Sequence, residues 1–147
     1  MGPQTLFSIA GGLVLPGWLL LLFAPRWRYS ARLINAVIIP ALLALLYIWL
    51  VLFHFKDSQG GFNSLEQVRL LFQNPYLLLA GWIHYLAFDL FIGSWEVRDA
   101  SRLKIPHLAV IPCLLLTFFL GPAGLFCYLL LRFFLRKRIL VSVEEYA

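Results

Sequence analysis

Four apolar runs, separated by polar stretches, form the main pattern along this chain. The runs cover about residues 5–24, 31–54, 75–95 and 106–134. Each has about 20 or more residues, the length that an α-helix needs to cross a hydrocarbon core of about 30 Å. The pattern therefore predicts an all-α integral membrane protein, in which residues 1–147 form a single domain built as a four-transmembrane-helix bundle.

The longest polar stretch, residues 56–74, contains the signals of one more short helix. Ser64-Leu65-Glu66-Gln67 has the spacing of a capping box, and apolar residues follow on one helical face. We predict a short amphipathic helix over 64–73 that lies on the membrane surface between helices 2 and 3. Asn74-Pro75 then has the residue types of an N-cap and a first-turn proline, which predicts where the third span begins.

The fourth run is longer than one span requires. A straight helix over 106–134 would measure about 43 Å, so Pro112 and the sequence Gly121-Pro122-Ala123-Gly124 must bend or break it. A single crossing divides the cationic residues equally between the two membrane sides, whereas a reversal at the Gly-Pro break gathers nearly all of them on one side. Because each half of a reversed segment is too short to span, the prediction keeps four spans, with the first loop on the cytoplasmic side.

The composition supports the membrane assignment and removes other classes of protein. The chain is 62% hydrophobic and only 13% charged, whereas soluble domains are about half apolar and about a quarter charged. Its net charge of +5 comes from Arg and Lys at the ends of the apolar runs, where they meet lipid headgroups. The expected partner is therefore the lipid bilayer, and no nucleic-acid-binding module is visible. Four short spans bury little interior, which is compatible with a homo-oligomer.

Neither the cysteines nor the histidines form a recognisable cofactor site. Cys113 and Cys127 would lie about 21 Å apart along one straight helix, so we predict no disulfide between them, and the sequence has no metal-ligand motif. Haem is not predicted, because His54 and His107 fall at opposite membrane surfaces. The first run has neither a basic segment before it nor a cleavage signal after it. We therefore expect a retained helix in a bacterial or cyanobacterial inner (or thylakoid) membrane.

The third run contains the ionisable residues that packing explains least well. Asp89 is the only carboxylate well inside an apolar run, and His84 lies near the middle of the same run. An Asp at the centre of a membrane helix costs about 2.5 to 3.5 kcal/mol and usually serves a function. Tyr85 precedes Asp89 by one helical turn, so the phenol and the carboxylate can meet. His84 is rotated by about 140° from Asp89, so these two side chains are not expected to touch.

These positions define the candidate site. Asp89, His84 and Tyr85 are predicted to be catalytic, or, in the structural alternative, to hold helices together through hydrogen bonds. The abundant aromatic residues indicate either lipid-facing side chains or a flat pocket for a carotenoid or another long isoprenoid. The residues predicted to contact such a ligand are Trp82, Phe88, Asn35 and Trp95.

This stretch and two others resemble a known family. The chain is similar to the plant abscisic-acid-deficient-four proteins and their bacterial relatives in Trp82-Ile-His-Tyr-Leu-Ala-Phe-Asp-Leu-Phe-Ile-Gly93, in Pro106-His107 and in Gly121-Pro122-x-Gly124-x-x-x-Tyr128. The resemblance covers about residues 5–135. The plant proteins are small plastid membrane proteins needed to form neoxanthin from violaxanthin. The resemblance therefore implies a role in carotenoid biosynthesis.

The reaction that the resemblance implies is an intramolecular isomerisation of a xanthophyll epoxide to an allenic alcohol. An acid must protonate the epoxide oxygen, and a base must remove a neighbouring vinylic proton. Asp89 has the right type for the acid and His84 for the base, while Tyr85 could assist. Their angular separation means that the two groups approach different atoms of one end group, or that one of them is structural.

Two other functions fit the same residues. A non-catalytic pigment- or lipid-binding membrane protein would need the aromatic surface but not the proton chemistry. A small transporter subunit would use Asp89 as a proton or ion site. The sequence does not separate these alternatives from an isomerase or from a factor that assists one.

Overall fold

The computed structural model describes residues 1–27, 29–56 and 58–137, and every element within these ranges is helical. The elements are α1 (Pro3–Phe23), a π-helix (Ser30–Ile38) that continues into α2 (Ile39–His54), α3 (Leu65–Leu71), α4 (Pro75–Arg102), α5 (His107–Leu120) and α6 (Pro122–Arg136).

Three of these segments are long and apolar enough to cross a bilayer. They are Pro3–Phe23, Ser30–His54 and Pro75–Arg102. Each begins within about two residues of a predicted run, which is the usual uncertainty of a helix boundary. The prediction of an all-helical membrane protein is therefore confirmed. The central element is α4, which packs against the π-helix and against α1, α2, α5 and α6.

The second span passes a proline without reversing. Pro40 has no N–H, and in a regular α-helix its ring would collide with the carbonyl group four residues earlier. The π-helix before it uses wider hydrogen bonds, in which the N–H of Ile34 donates to Tyr29 and the N–H of Ile39 donates to Ile34. Pro40 lies in the first turn of α2, directly after the π-helix, and the helical segment continues past it.

The polar stretch contains a short helix at the predicted place. Ser64 caps α3 by accepting a hydrogen bond from the backbone N–H of Gln67 at 3.2 Å. Asn74 caps α4 in the same way, accepting from the N–H of Tyr76 at 2.9 Å, with a proline in the first turn. The helix α3 is shorter than the predicted range 64–73, and its position on the membrane surface stays a prediction.

The third span extends past its predicted end. The sequence predicts a boundary at Trp95, before a loop of mixed charge, but α4 continues to Arg102. The charged residues stabilise the extra turns because they pair along the helix. Arg102 contacts Asp99 at 2.8 Å, and Arg98 donates to Ser94 at 3.1 Å. The range 75–95 is therefore wrong at its carboxyl-terminal end.

The fourth run is not one helix, so the predicted single span over 106–134 is wrong and the four-span bundle is not confirmed. The helix α5 ends at Leu120, and α6 begins at Pro122. Between them, Gly121 has φ 46° and ψ −97°, a conformation that side chains with a Cβ rarely adopt. The proline that follows cannot donate to the ladder of α5, so the first helix stops here.

The two halves of this run pack against each other as a helical hairpin. Close to the turn, a Cβ built on Gly124 would lie only 2.1 Å from the backbone nitrogen of Thr117, so the two helices nearly touch. Farther along, the Sγ atoms of Cys113 and Cys127 lie 3.5 Å apart. The separation expected on a straight helix is therefore wrong, because the chain folds back between the two cysteines. Each half is only about 21–23 Å long, which is shorter than a hydrocarbon core of about 30 Å, so neither half alone crosses it.

The hairpin begins and ends at one end of the bundle. His107, at the start of α5, hydrogen-bonds to the carbonyl oxygen of Leu22 near the end of α1, at 2.9 Å. Arg136, at the end of α6, donates to the carbonyl oxygen of Lys104. The opposite end, where α2 ends and α4 begins, holds the stacked rings of His54 and Tyr76.

Candidate functional site

A row of polar side chains follows the face of α4 that meets the α5–α6 hairpin. We call Tyr85, Asp89, Glu96 and Asp99 the α4 polar stripe. Their spacings of four, seven and three residues bring them onto one helical face. Because α4 can cross the bilayer, the stripe runs from about mid-depth at Asp89 towards one membrane surface at Asp99.

Asp99, at the outer end of the stripe, is fully partnered. Its carboxylate contacts Arg102 at 2.8 Å and Arg132 at 2.9 Å, and it accepts a hydrogen bond from Tyr128 at 2.8 Å. Tyr128 and Arg132 are buried, and the ring of Trp95 packs edge-on against Tyr128. A carboxylate with two cations and a phenol is well neutralised. This part of the stripe therefore attaches α6 to α4.

Glu96 is completely buried, and its two oxygens have different surroundings. Thr117 of α5 donates a hydrogen bond to Oε1 at 2.9 Å. Oε2 is buried without a hydrogen-bond partner among the described residues. Leaving a buried polar atom unsatisfied costs about 1–3 kcal/mol, so this oxygen is a place where a further hydrogen-bonding group could be accommodated.

Asp89 lies at the turn of the hairpin. A Cβ built on Gly121 would be 2.9 Å from its Oδ1. The hydroxyl of Tyr85 lies against this carboxylate and also donates to the carbonyl oxygen of Phe118 at 3.3 Å. Oδ2 is buried without a hydrogen-bond partner in the described part of the chain. The amino-terminal end of α6 follows the turn directly, and its dipole attracts electronegative oxygen atoms.

Aromatic rings from three helices lead to this carboxylate. Trp82 stacks on Tyr85 with ring centroids 5.2 Å apart, and Phe7 of α1 lies 5.8 Å from Trp82. On the other side of Tyr85, Phe118 of α5 packs edge-on against Trp18 of α1 at 5.4 Å. We call these five residues the aromatic row. Since Trp82 is 42% exposed, the row begins at the outer surface of the bundle. Aromatic rings of this kind offer apolar contacts to a long conjugated chain.

His84 and Phe88 lie on another face of α4. The His84 ring is 4.5 Å from the ring of Phe88 and 6.1 Å from that of Tyr47 in α2, and both His84 and Phe88 are exposed. The structure therefore keeps His84 apart from the α4 polar stripe, in agreement with the angular separation expected from the sequence.

Asn35 and Trp95 occupy two further places. Asn35 is buried, and its Nδ2 donates to the carbonyl oxygen of Gly17 at 3.0 Å, so it joins the π-helix to α1. A Cβ on Gly17 would lie 2.5 Å from its Oδ1, which explains the glycine at this contact. Trp95 belongs to the cluster around Asp99 and Tyr128. Of the predicted site residues, the structure thus brings together Asp89, Tyr85 and Trp82.

Two carboxyl groups of the α4 polar stripe are incompletely partnered in the described part of the chain. Asp89 and Glu96 each have one buried oxygen without a described partner, and the hydroxyls of Tyr85 and Thr117 lie beside them. Within the described ranges, no three His, Cys, Asp or Glu side chains cluster closely enough to hold a metal ion.

Sequence reasoning missed the outer half of the stripe. It assigned Glu96 and Asp99 to a loop and Arg132 to the end of a span. Helical spacing does place Glu96 within roughly 40° of the line through Tyr85 and Asp89, but only if the helix continues beyond Trp95. The sequence contains no such signal for Tyr128 and Arg132 of α6, because only the reversal at the hairpin turn brings them to α4.

The fold and the site define a small multi-pass membrane protein with carboxyl groups buried between its helices. A family model described as ABA DEFICIENT 4-like matches residues 5–128. The chain therefore belongs to the ABA DEFICIENT 4-like family, which is linked to neoxanthin formation in plants. This match confirms the resemblance noted in the sequence. No curated protein and no solved structure matches the chain.

Proposed function

We propose that this chain is an intramolecular isomerase that acts on a xanthophyll epoxide inside the membrane, with Asp89 as the proton-transferring group. The observation that carries the proposal is the carboxyl group of Asp89 at the hairpin turn, with one buried oxygen unpartnered among the described residues and Tyr85 beside it. Membership in a family linked to neoxanthin formation suggests the substrate class. A xanthophyll dissolves in the bilayer and would reach Asp89 along the aromatic row.

One carboxyl group can carry out both proton transfers of this reaction. The protonated oxygen of Asp89 gives its proton to the epoxide oxygen while the C–O bond breaks. The other oxygen accepts the vinylic proton from the neighbouring carbon while the allene forms. The carboxyl group ends with the one proton that it had at the start, so the isomerisation consumes no cofactor.

Tyr85 would assist by hydrogen bonding, either to orient the carboxyl group or to stabilise the developing alkoxide. His84 is not needed in this mechanism. Its exposed position beside Phe88 suits contact with the substrate chain or with lipid instead. The expected location is a bacterial or cyanobacterial inner, or thylakoid, membrane.

Pigment analysis in a bacterial strain that accumulates violaxanthin would test the proposal. We expect the wild-type chain to form a neoxanthin-like product, which chromatography of the extracted pigments resolves. Asp89→Asn keeps the shape of the side chain but removes the transferable proton, so product formation should fall by about 100-fold or more. Glu96→Gln is the matched control, because it neutralises another carboxyl group of the α4 polar stripe. It should retain most of the activity.

Three results would contradict parts of the proposal. A wild-type chain that is folded in the membrane but forms no product would reject autonomous isomerase activity on violaxanthin. An Asp89→Asn variant with normal activity would remove Asp89 from the mechanism. A His84→Ala variant as inactive as Asp89→Asn would replace the single-carboxyl mechanism by one that uses two groups. The amount of each variant in the membrane and its melting temperature control for misfolding.

A second candidate function is proton transfer through the membrane. The observation that favours it is the line of three carboxyl groups, Asp89, Glu96 and Asp99, along one face of α4. In this case liposomes containing the protein would take up protons, Asp89→Asn would abolish the uptake, and no pigment would be converted.

A further inference from the structure

A large open cavity lies at the end of the bundle where the hairpin begins and ends. Its volume is about 1790 Å³, and it is lined by the end of α1, the π-helix, the last turns of α4 and the start of α5. It lies outside the aromatic row, at the membrane surface rather than at mid-depth. The basic side chains that line it are Arg26, Arg32, Arg98, Arg102, Lys104 and His107.

Positive charge in this cavity exceeds negative charge. Among the described lining residues, Asp99 is the one carboxylate. It is already engaged by Arg102 and Arg132 and by the hydroxyl of Tyr128. In the described part of the chain, the other cations have no carboxylate within ion-pair distance. These cations are Arg26, Arg32, Arg98 and Lys104.

One of these cations is held in place by the protein. The guanidinium group of Arg98 donates to the carbonyl oxygen of Ala31 and to the hydroxyl of Ser94, and it lies 6.0 Å from the ring centroid of Phe91. These contacts fix Arg98 between the π-helix and α4. A fixed guanidinium group binds an anion with a smaller loss of side-chain entropy than a mobile one.

Apart from Ser101, the remaining lining residues are apolar. The side chains of Val37, Phe91, Trp95 and Ile111 line the cavity together with the cations. A ligand that fills the cavity therefore combines an anionic group with an apolar part. Arginine forms paired, charge-assisted hydrogen bonds to phosphate oxygens, and several cations suit a group with more than one negative charge.

We infer that this cavity binds the phosphate group of an amphiphilic ligand, with Arg26, Arg32, Arg98 and Lys104 around the phosphate and Phe91, Trp95 and Ile111 against the apolar part. The phosphate could belong to a lipid headgroup or to a soluble phosphate compound. The inference does not depend on the proposed isomerase activity, since it uses other residues at another depth.

Binding measurements on the purified full-length protein in a non-ionic detergent would test this inference. The probes are short-chain phosphatidic acid and inorganic phosphate, and isothermal titration calorimetry measures the binding of each. We expect saturable binding of phosphatidic acid, weakened about tenfold by Arg32→Gln and by Lys104→Gln, because each removes a charge-assisted hydrogen bond. If inorganic phosphate displaces the lipid, a soluble phosphate compound is the favoured source. If it does not, the lipid headgroup is favoured.

Lys137→Gln is the matched control for Lys104→Gln. Both lysines have positive φ, 53° and 55°, and both lie at the same end of the bundle, but only Lys104 lines the cavity. Lys137→Gln should therefore leave the affinity unchanged. Equal weakening by the two lysine substitutions would show general attraction to a basic surface and would overturn the inference. The absence of saturable binding of both probes to the folded wild-type protein would overturn it as well.

Discussion

Pro40 and Pro122 each interrupt an apolar helical run, but the chain leaves the two sites in different directions. Before Pro40, a π-helix supplies the extra room that the ring requires, and the span continues to His54. Before Pro122, Gly121 adopts a conformation with positive φ, and the chain folds back. A proline alone therefore does not reverse this membrane helix, whereas a glycine that can turn the backbone makes the reversal possible.

The surroundings of the two sites also differ. The backbone groups freed at the hairpin turn lie against α4, next to the polar side chains of Tyr85 and Asp89. Non-helical backbone at membrane depth is tolerated only where protein or a polar cavity covers it. At Pro40 the chain stays helical, and the N–H groups of Ile34 and Ile39 donate to the carbonyl groups five residues earlier. The turn of the hairpin, in contrast, lies against the polar side chains of α4.

Oxidative cross-linking should distinguish most clearly between a hairpin and a straight helix in the fourth run. In the hairpin the Sγ atoms of Cys113 and Cys127 are 3.5 Å apart, whereas on a straight helix they would be about 21 Å apart. Molecular oxygen with copper phenanthroline should remove one hydrogen from each thiol and form an intramolecular disulfide. Intact-mass spectrometry would detect the loss of two hydrogens. Thiols that remain alkylatable after treatment, or disulfide-linked dimers alone, would contradict the reversal.

Gly124→Ala should cause the largest loss of stability. Its Cβ would lie 2.1 Å from the backbone nitrogen of Thr117 and 2.2 Å from Oγ1, so α5 and α6 would have to separate. We expect a loss of about 1–3 kcal/mol or more, measured by unfolding of the purified protein in detergent. Gly12→Ala in α1 is the control, because nothing lies within 4 Å of its Cβ. Equal effects of the two substitutions would refute the close contact.

Gly121→Ala should have an intermediate effect. The residue has φ 46°, which costs a residue with a Cβ about 1–2 kcal/mol, and the new methyl group would displace the Asp89 carboxylate. We expect lower stability and slower disulfide formation between Cys113 and Cys127. Pigment conversion, if wild type shows it, should fall as well. A variant with wild-type stability and cross-linking would show that the turn does not need glycine.

Pro40→Ala should have the smallest effect. The alanine restores a backbone N–H, but it also raises the conformational entropy of the unfolded chain. The π-helix already accommodates the proline. We expect a change in unfolding free energy within about 1 kcal/mol and no change in the direction of the span. A loss as large as that of Gly124→Ala would mean that the proline itself determines this part of the fold.

The three candidate spans and two helix caps were predictable because the signals are local. Ser64 with Gln67, and Asn74 before a proline, satisfy backbone groups within a few residues in the chain. A proline inside an apolar run, such as Pro40, is also a local signal of an irregular helix, although it does not specify a π-helix. Such features depend on neighbouring residues alone and can be read from the sequence.

The reversal of the fourth run was not predictable in this way. The break at Gly121 was visible, but the argument that short halves cannot span favoured a single crossing. That argument applies to segments surrounded by lipid. It does not apply to a hairpin whose turn lies against Asp89. The second helix of this hairpin, α6, is held to α4 by the contacts of Tyr128 and Arg132 with Asp99. The candidate site shares this limit: Asp89 and Tyr85 were found through helical spacing, whereas the contacts to α5 and α6 required the reversal.

The number of membrane crossings also determines whether the two ends of the helical region lie on the same side of the membrane. With four crossings, both ends of the helical region would lie on the same side of the membrane. With three, Pro3 and Lys137 would lie on opposite sides, because α5 and α6 together return to the end of the bundle where the hairpin begins. Nearly all described cations would then face one compartment, which the positive-inside rule predicts to be the cytoplasm. The turn at Gly121 would thereby decide on which side of the membrane α6 ends.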